Sequence, residues 1–153
     1  MTRLLFILLF GLALSQEPVD GGSSFNRHNL SIGIWDDKTG ISLIGYTYNI
    51  KQDRMNEYFI GAGTAILAFT GSVGWKHYYR RADKLSIYSI LSEQAVAHLG
   101  FTGFMTTGSI SLEYSLTKWA EVKLGGFGIF IIRTDEDKME FGVIPFMGLN
   151  FSF

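Results

Sequence analysis

The sequence predicts an all-β fold: an eight-stranded, antiparallel, up-and-down transmembrane β-barrel. Three observations carry this. Apolar residues recur at every second position through eight separate runs, as strands with two unlike faces require. The 153 residues are 47% hydrophobic and 15% aromatic but only 18% charged, against about 25% charged in ordinary soluble domains. The segment "GVIPFMGLNFSF" keeps Val143, Met147, Leu149, Phe151 and Phe153 apolar, where domain termini usually fray and turn polar.

"MTR" followed by "LLFILLFGLAL" has the basic start and apolar core of an export signal. Small residues at Ala13 and Ser15 suit a cleavage site, so 1–15 is expected to be a signal peptide. The apolar stretch is too short for a spanning helix, which needs about 20 residues. Residues 16–27 are polar and aperiodic, and are expected to be a flexible lead-in to a barrel over 28–153. The first run, His28 to Trp35, sets Leu30, Ile32 and Ile34 against Asn29, Ser31 and Gly33. "DDKTG" (Asp36 to Gly40) reads as a turn. The second run, Ile41 to Ile50, sets Ile44, Tyr46, Tyr48 and Ile50 against Gly45, Thr47 and Asn49. After "KQDRMN", the third run, Glu57 to Ala68, sets Tyr58, Ile60, Ala62, Thr64 and Ile66 against Gly61, Gly63 and Ala65. A break is expected near "FTGS".

The fourth run, Val73 to Tyr79, alternates Val73, Trp75, His77 and Tyr79 with Gly74, Lys76, Tyr78 and Arg80. "RRADK" turns the chain into a fifth run from Leu85, whose two faces look alike. The sixth, Thr106 to Leu116, sets Ile110, Leu112, Tyr114 and Leu116 against Ser109, Ser111, Glu113 and Ser115. "TK" turns into the seventh, Trp119 to Ile132, and "RTDEDK" into the eighth, Met139 to Phe153. Eight runs of about ten residues suit a small membrane barrel.

Alternation alone does not say which face is inside. With the chain ends on one rim, Tyr48, Tyr58, Tyr79, Tyr114, Trp119 and Phe151 fall at strand ends on that rim, as an aromatic girdle would. Trp35 and Phe69 fall near the other. The lumen then holds small polar residues, Glu57 and a charge network of Lys76, Arg80, Glu113, Glu121 and Lys123. Such charges must be paired or wetted. Glu113 is expected opposite Glu121 and diagonal to Lys123.

The eight runs, "LEYSLTKWAEVKLGGFG" and the final "LNFSF" resemble small bacterial outer-membrane β-barrel proteins of the porin-like and opacity-like superfamily. That resemblance implies outer-membrane lipid as the surroundings, a monomer, and Leu149, Phe151 and Phe153 as a signal read by the barrel-assembly machinery. It also implies extracellular loops that bind partners: here "DDKTG", "FTGS", "RTDEDK" and the longer "QAVAHLGFTGFM" (residues 94–105). The alternative for 94–105 is that the fifth and sixth strands simply extend through it.

Chemistry is sparse. With net charge −1 and no basic stripe, nucleic acid is not an expected partner. The absence of cysteine excludes disulfides and thiolate sites. Three scattered histidines offer no metal-ligand spacing, and no cofactor is expected. A lipid A-modifying acyl hydrolase is an alternative, since lipid A deacylases are barrels of this size. Resemblance to them implies His-x-Ser, yet Leu30, Tyr79 and Gly100 follow His28, His77 and His98 at that spacing. His98 with Glu93 and Ser92 could serve only if the strand bends. "GGFG" (Gly125 to Gly128) reads as packing around an inward Phe127. Gly33, Gly45, Gly61, Gly63 and Gly74 thin the lumen on one side, while Tyr78, Phe127 and Phe146 fill the other. At most a narrow water path is expected. The leading expectation is a non-enzymatic outer-membrane barrel with a structural or surface-contact role and a plugged polar lumen. A soluble barrel enclosing an apolar ligand is the remaining alternative, and it requires the two faces to be reversed.

Overall fold

The computed structural model describes residues 27–98, 101–132 and 139–153. The expected signal peptide, the lead-in up to residue 26 and "RTDEDK" lie outside the described residues. Eight strands follow in order: β1 (His28–Ile34), β2 (Ile44–Gln52), β3 (Asn56–Ala65), β4 (Ala68–Arg81), β5 (Leu85–His98), β6 (Phe101–Ser115), β7 (Ala120–Ile132) and β8 (Met139–Ser152). They form one closed antiparallel barrel, each strand paired with its neighbours in sequence. β8 closes on β1 with Leu30 opposite Phe151 and Ile32 opposite Leu149. The alternation that predicted strands therefore predicts the closure too, because every strand finds two partners and no edge remains.

Turn chemistry explains the hairpins on the rim that carries residues 27 and 153. The Asp53 carboxylate accepts the amides of Met55 and Asn56 at 2.8 and 2.7 Å. The Thr117 hydroxyl accepts the Ala120 amide at 3.0 Å. These side chains replace ladder bonds that the turn leaves unmade. The β6–β7 turn is thus Leu116 to Trp119, two residues longer than "TK", and the register moves accordingly. Glu113 lies directly opposite Lys123, and Glu121 opposite Ser115. The expected Glu113–Glu121 juxtaposition is replaced by one of opposite charge.

Two other expectations differ from the structure. The "FTGS" break is absent: β4 begins at Ala68, and the chain turns at Ile66–Leu67 between the paired Ala65 and Ala68. For residues 94–105 the second of the two expectations is met: β5 and β6 extend as paired strands out to His98 and Phe101, and residues 99–100 lie outside the described residues. The "DDKTG" segment is not an outward loop: Asp36, Asp37, Lys38 and Thr39 are buried inside the barrel.

Ile66 turns that hairpin with φ of 46° and is 87% exposed. A β-branched residue is strained there and glycine is not. Ile66→Gly is expected to raise stability by about 1 kcal/mol, read as a higher urea midpoint for the barrel in detergent micelles.

The faces are unambiguous. Ile32, Ile44, Ile60, Phe69, Ile110, Leu112, Leu124 and Met147 point outward and are exposed. Asn29, Thr47, Glu57, Lys76, Ser92, Gln94, Glu113, Lys123 and Asn150 point inward and are buried.

Candidate functional site: the plugged lumen

The β1–β2 connection, residues 35–43, folds back into the barrel. Its tip is a tight turn in which the Asp36 and Gly40 backbones bond each other at 2.9 and 2.6 Å. The Asp36 carboxylate accepts the Lys38 amide at 2.7 Å. Gly40 has φ of 72°, and a Cβ there would collide with the Gln94 side chain, so only glycine closes this turn. Asp36, Asp37, Lys38, Thr39 and Ser42 are all buried.

Three of the five glycines expected to thin the lumen, Gly45, Gly61 and Gly63, make room for this segment, whereas Gly33 lies against the β8 backbone and Gly74 against Phe59 and Ser92. A Cβ on Gly61 would meet Thr47 at 2.7 Å and Thr39 at 3.1 Å; one on Gly45 would meet Thr39 and Ser31. On Gly63 it would lie 2.6 Å from the Ser42 Cβ and 2.8 Å from the Thr70 hydroxyl. The Thr70 hydroxyl also donates to the Thr39 carbonyl at 2.8 Å. The glycine side of the wall is therefore occupied by the inserted chain and not left as a water path. Gly63→Ala is expected to cost about 1–3 kcal/mol by overpacking. Gly71→Ala, where a Cβ meets nothing within 4 Å, is the matched control and should leave the urea midpoint unchanged.

Charge holds the tip. Lys38 donates to Glu57 at 3.1 Å, and Asp37 faces Lys123 at 3.5 Å while accepting the Tyr88 hydroxyl at 2.7 Å. Burial pushes the Asp37 carboxyl above its ordinary value, with Lys123 pulling the other way. Burial likewise lowers Lys38, against the pull of Glu57. Each residue of the pair would tend to shed its charge there without its partner on the wall.

The wall continues the network. Lys76 donates to Glu113 at 2.6 Å and lies over the rings of Tyr78 and Tyr88, 4.4 and 3.9 Å from their centroids. The Tyr78 hydroxyl bridges Glu57 at 3.1 Å and Glu113 at 3.3 Å. Glu121 accepts from Asn150 at 3.0 Å. Of the five predicted network residues, Lys76, Glu113 and Lys123 come together, with Glu121 beside them at the rim. Arg80 does not join them. A bulge between Tyr78 and Arg80 reverses the alternation, so Arg80 pairs with Ile87 and points outward. Arg81 takes the inward place, 3.6 Å from Glu57. Beneath the tip, at the end of the barrel that carries residues 27 and 153, lies a polar cavity of about 200 Å³ lined by Lys38, Glu57, Lys76, Arg81 and Glu121 among others.

Above the tip the filling is apolar. Val96, Met105, Phe127, Ile129 and Phe146 form one cluster, and Trp35 and Ile41, from the two arms of the inserted segment, pack against it. Trp35 thus faces Phe127, 6.1 Å between ring centroids, and is not a girdle residue on the far rim. Phe69 does face outward.

The six aromatic residues expected on one rim, Tyr48, Tyr58, Tyr79, Tyr114, Trp119 and Phe151, all sit at the end that carries residues 27 and 153. All are on outward positions, and Trp119 stacks on Phe151 at 5.9 Å. Phe153 stacks on His28 at 5.8 Å, and Leu149 faces outward.

The hydrolase set is not assembled. Ser92 faces the lumen and Glu93 the outside, where it accepts from Thr106 at 2.6 Å. Six residues of extended strand, about 20 Å, separate Ser92 from His98. Among the described residues no group of three metal-ligating side chains occurs. A comparison with protein-family models finds no match, and no curated protein matches the chain.

Sequence reasoning missed Asp37, Lys38, Arg81, Phe59 and Tyr88 as lumen residues. Facing glycines on adjacent strands were the available signal for the first two, because such positions mark a close approach of another backbone.

Proposed function

We propose that the chain is a membrane-embedded barrel of a bacterial outer membrane, exported by its leader, monomeric, and sealed along its lumen. Its role is structural or that of a small contact surface, and not catalytic. It resembles the small porin-like and opacity-like barrels, with lipid around it and the barrel-assembly machinery as its partner during insertion.

One observation carries this reading: the direction of the alternation. Ile32, Ile44, Ile60, Ile110, Leu112, Leu124 and Met147 point out, while Asn29, Glu57, Lys76, Glu113, Lys123 and Asn150 point in, and the large inward apolar side chains are gathered in two clusters around Phe127 and Phe59. A water-soluble barrel holding an apolar ligand needs the reverse. Exposed apolar surface on this scale needs a covering, and a bilayer covers every strand at once. The aromatic residues gathered at one rim suit an interface of water and headgroups.

The test is migration on a denaturing gel, with and without boiling, of protein from fractionated envelopes. A boiling-dependent shift in the outer-membrane fraction supports the reading. A single unshifted band in the soluble periplasmic fraction overturns it.

A further inference from the structure

We propose that the 35–43 segment is a displaceable plug, and that the barrel conducts small inorganic ions when the plug leaves the lumen. The inference rests on the membrane-embedded reading.

The plug closes the lumen in two different ways. Its arms carry Trp35 and Ile41 into the apolar cluster around Phe127 and Phe146, and an apolar constriction blocks ions by excluding water. Its tip is latched by two ion pairs of opposite sense, Lys38 to Glu57 and Asp37 to Lys123. Below the tip the polar cavity already begins, with Lys38 in its lining. The segment therefore stands between an apolar collar and a polar space.

The wall can do without the plug. When Lys38 departs, Glu57 keeps Arg81 at 3.6 Å, the Tyr78 hydroxyl at 3.1 Å and the Gln52 amide at 2.9 Å. When Asp37 departs, Lys123 still lies opposite Glu113 in the β6–β7 ladder. Lys76 keeps Glu113 at 2.6 Å. The lumen wall then presents Lys76, Arg81 and Lys123 against Glu57, Glu113 and Glu121, a balance of signs that favours neither cations nor anions strongly. The plug, for its part, carries Asp36, Asp37 and Lys38 to water, where all three are readily solvated. In the plugged arrangement one Asp36 oxygen, one Asp37 oxygen and the Lys123 ammonium are buried without a hydrogen-bond partner, so release of the two aspartates to water relieves a cost, as a two-state element requires of its second arrangement.

What the plug vacates is the glycine side. Gly45, Gly61 and Gly63 put no side chain into that space, and a paired chain segment is about 4.8 Å across. Withdrawal of both arms opens a path wide enough for a small ion.

The experiment is conductance of the purified full barrel in planar bilayers bathed in potassium chloride, with folding checked first by heat-modifiable gel migration. The wild type is expected to open rarely. Lys38→Glu sets a carboxylate against Glu57 and should raise the open-to-closed ratio at least about 100-fold, since a buried charge without its partner is strongly unfavourable. A second variant, with Asp36 to Ile41 replaced by two glycines, should conduct steadily. Folded, inserted variants that conduct no more than wild type would overturn the plug. So would failure of both variants to fold, because the segment would then be an obligatory core element. Failure of the wild type itself to insert would instead sink the membrane reading, so the two are distinguished.

Discussion

Lys76→Met is expected to destabilise the barrel by about 3–5 kcal/mol. Lys76 is 2% exposed, bonded to Glu113 at 2.6 Å and enclosed by the faces of Tyr78 and Tyr88. Removing the ammonium leaves the Glu113 carboxylate in a closed interior. Lys123 across the ladder and the Tyr78 hydroxyl at 3.3 Å would remain near it. The size of the loss comes from the stranded charge and not from the worth of the pair. A second variant therefore separates the two. Lys76→Met with Glu113→Leu removes both charges and should recover most of the loss. Urea midpoints in micelles measure both. If the double variant is as unstable as the single one, the loss belongs to packing around Tyr78 and Tyr88.

Phe127→Ala is expected to cost about 3–5 kcal/mol as well, for an unrelated reason. Phe127 is 1% exposed and lies 5.8 Å from Phe146 and 6.1 Å from Trp35, centroid to centroid. Truncation leaves a cavity at the junction of wall and inserted segment. The lining residues sit on a closed ladder and collapse poorly into such a space. Because Trp35 belongs to the inserted segment, its fluorescence should also shift to longer wavelength as water reaches it. An unchanged emission with a lowered midpoint would place the Trp35 contact elsewhere.

The barrel itself was legible because its physics is periodic. In the sixth run, Ser109, Ser111 and Glu113 alternate with Ile110 and Leu112, and one strand with two faces is the only way to separate them. The same logic reached Lys76, Glu113 and Lys123. It failed at Arg80, where a single bulged residue exchanges the faces of everything beyond it. Bulges leave little trace in a sequence. It failed again at "DDKTG", whose residues are turn formers wherever the turn is placed. Turn chemistry fixes the local bend and says nothing about whether the bend lies in water or in a lumen. That was decided at a distance, by Gly45, Gly61 and Gly63 opposite and by the partners Glu57, Tyr88 and Lys123, each from a different strand. The fifth run looked alike on both faces for a related reason. Tyr88, Ile90 and Val96 face inward among Ser86, Ser92 and Gln94, because the lumen there is filled partly by apolar side chains.

The claim that matters most is that the apolar face meets lipid. The chain contains no cysteine, so single cysteines can be placed at positions 109, 110, 111 and 112 of β6, spin-labelled and reconstituted into vesicles. Collision with oxygen, which concentrates in lipid, should be high at 110 and 112 and low at 109 and 111. The opposite phase, or four equal values, would contradict a membrane-embedded barrel.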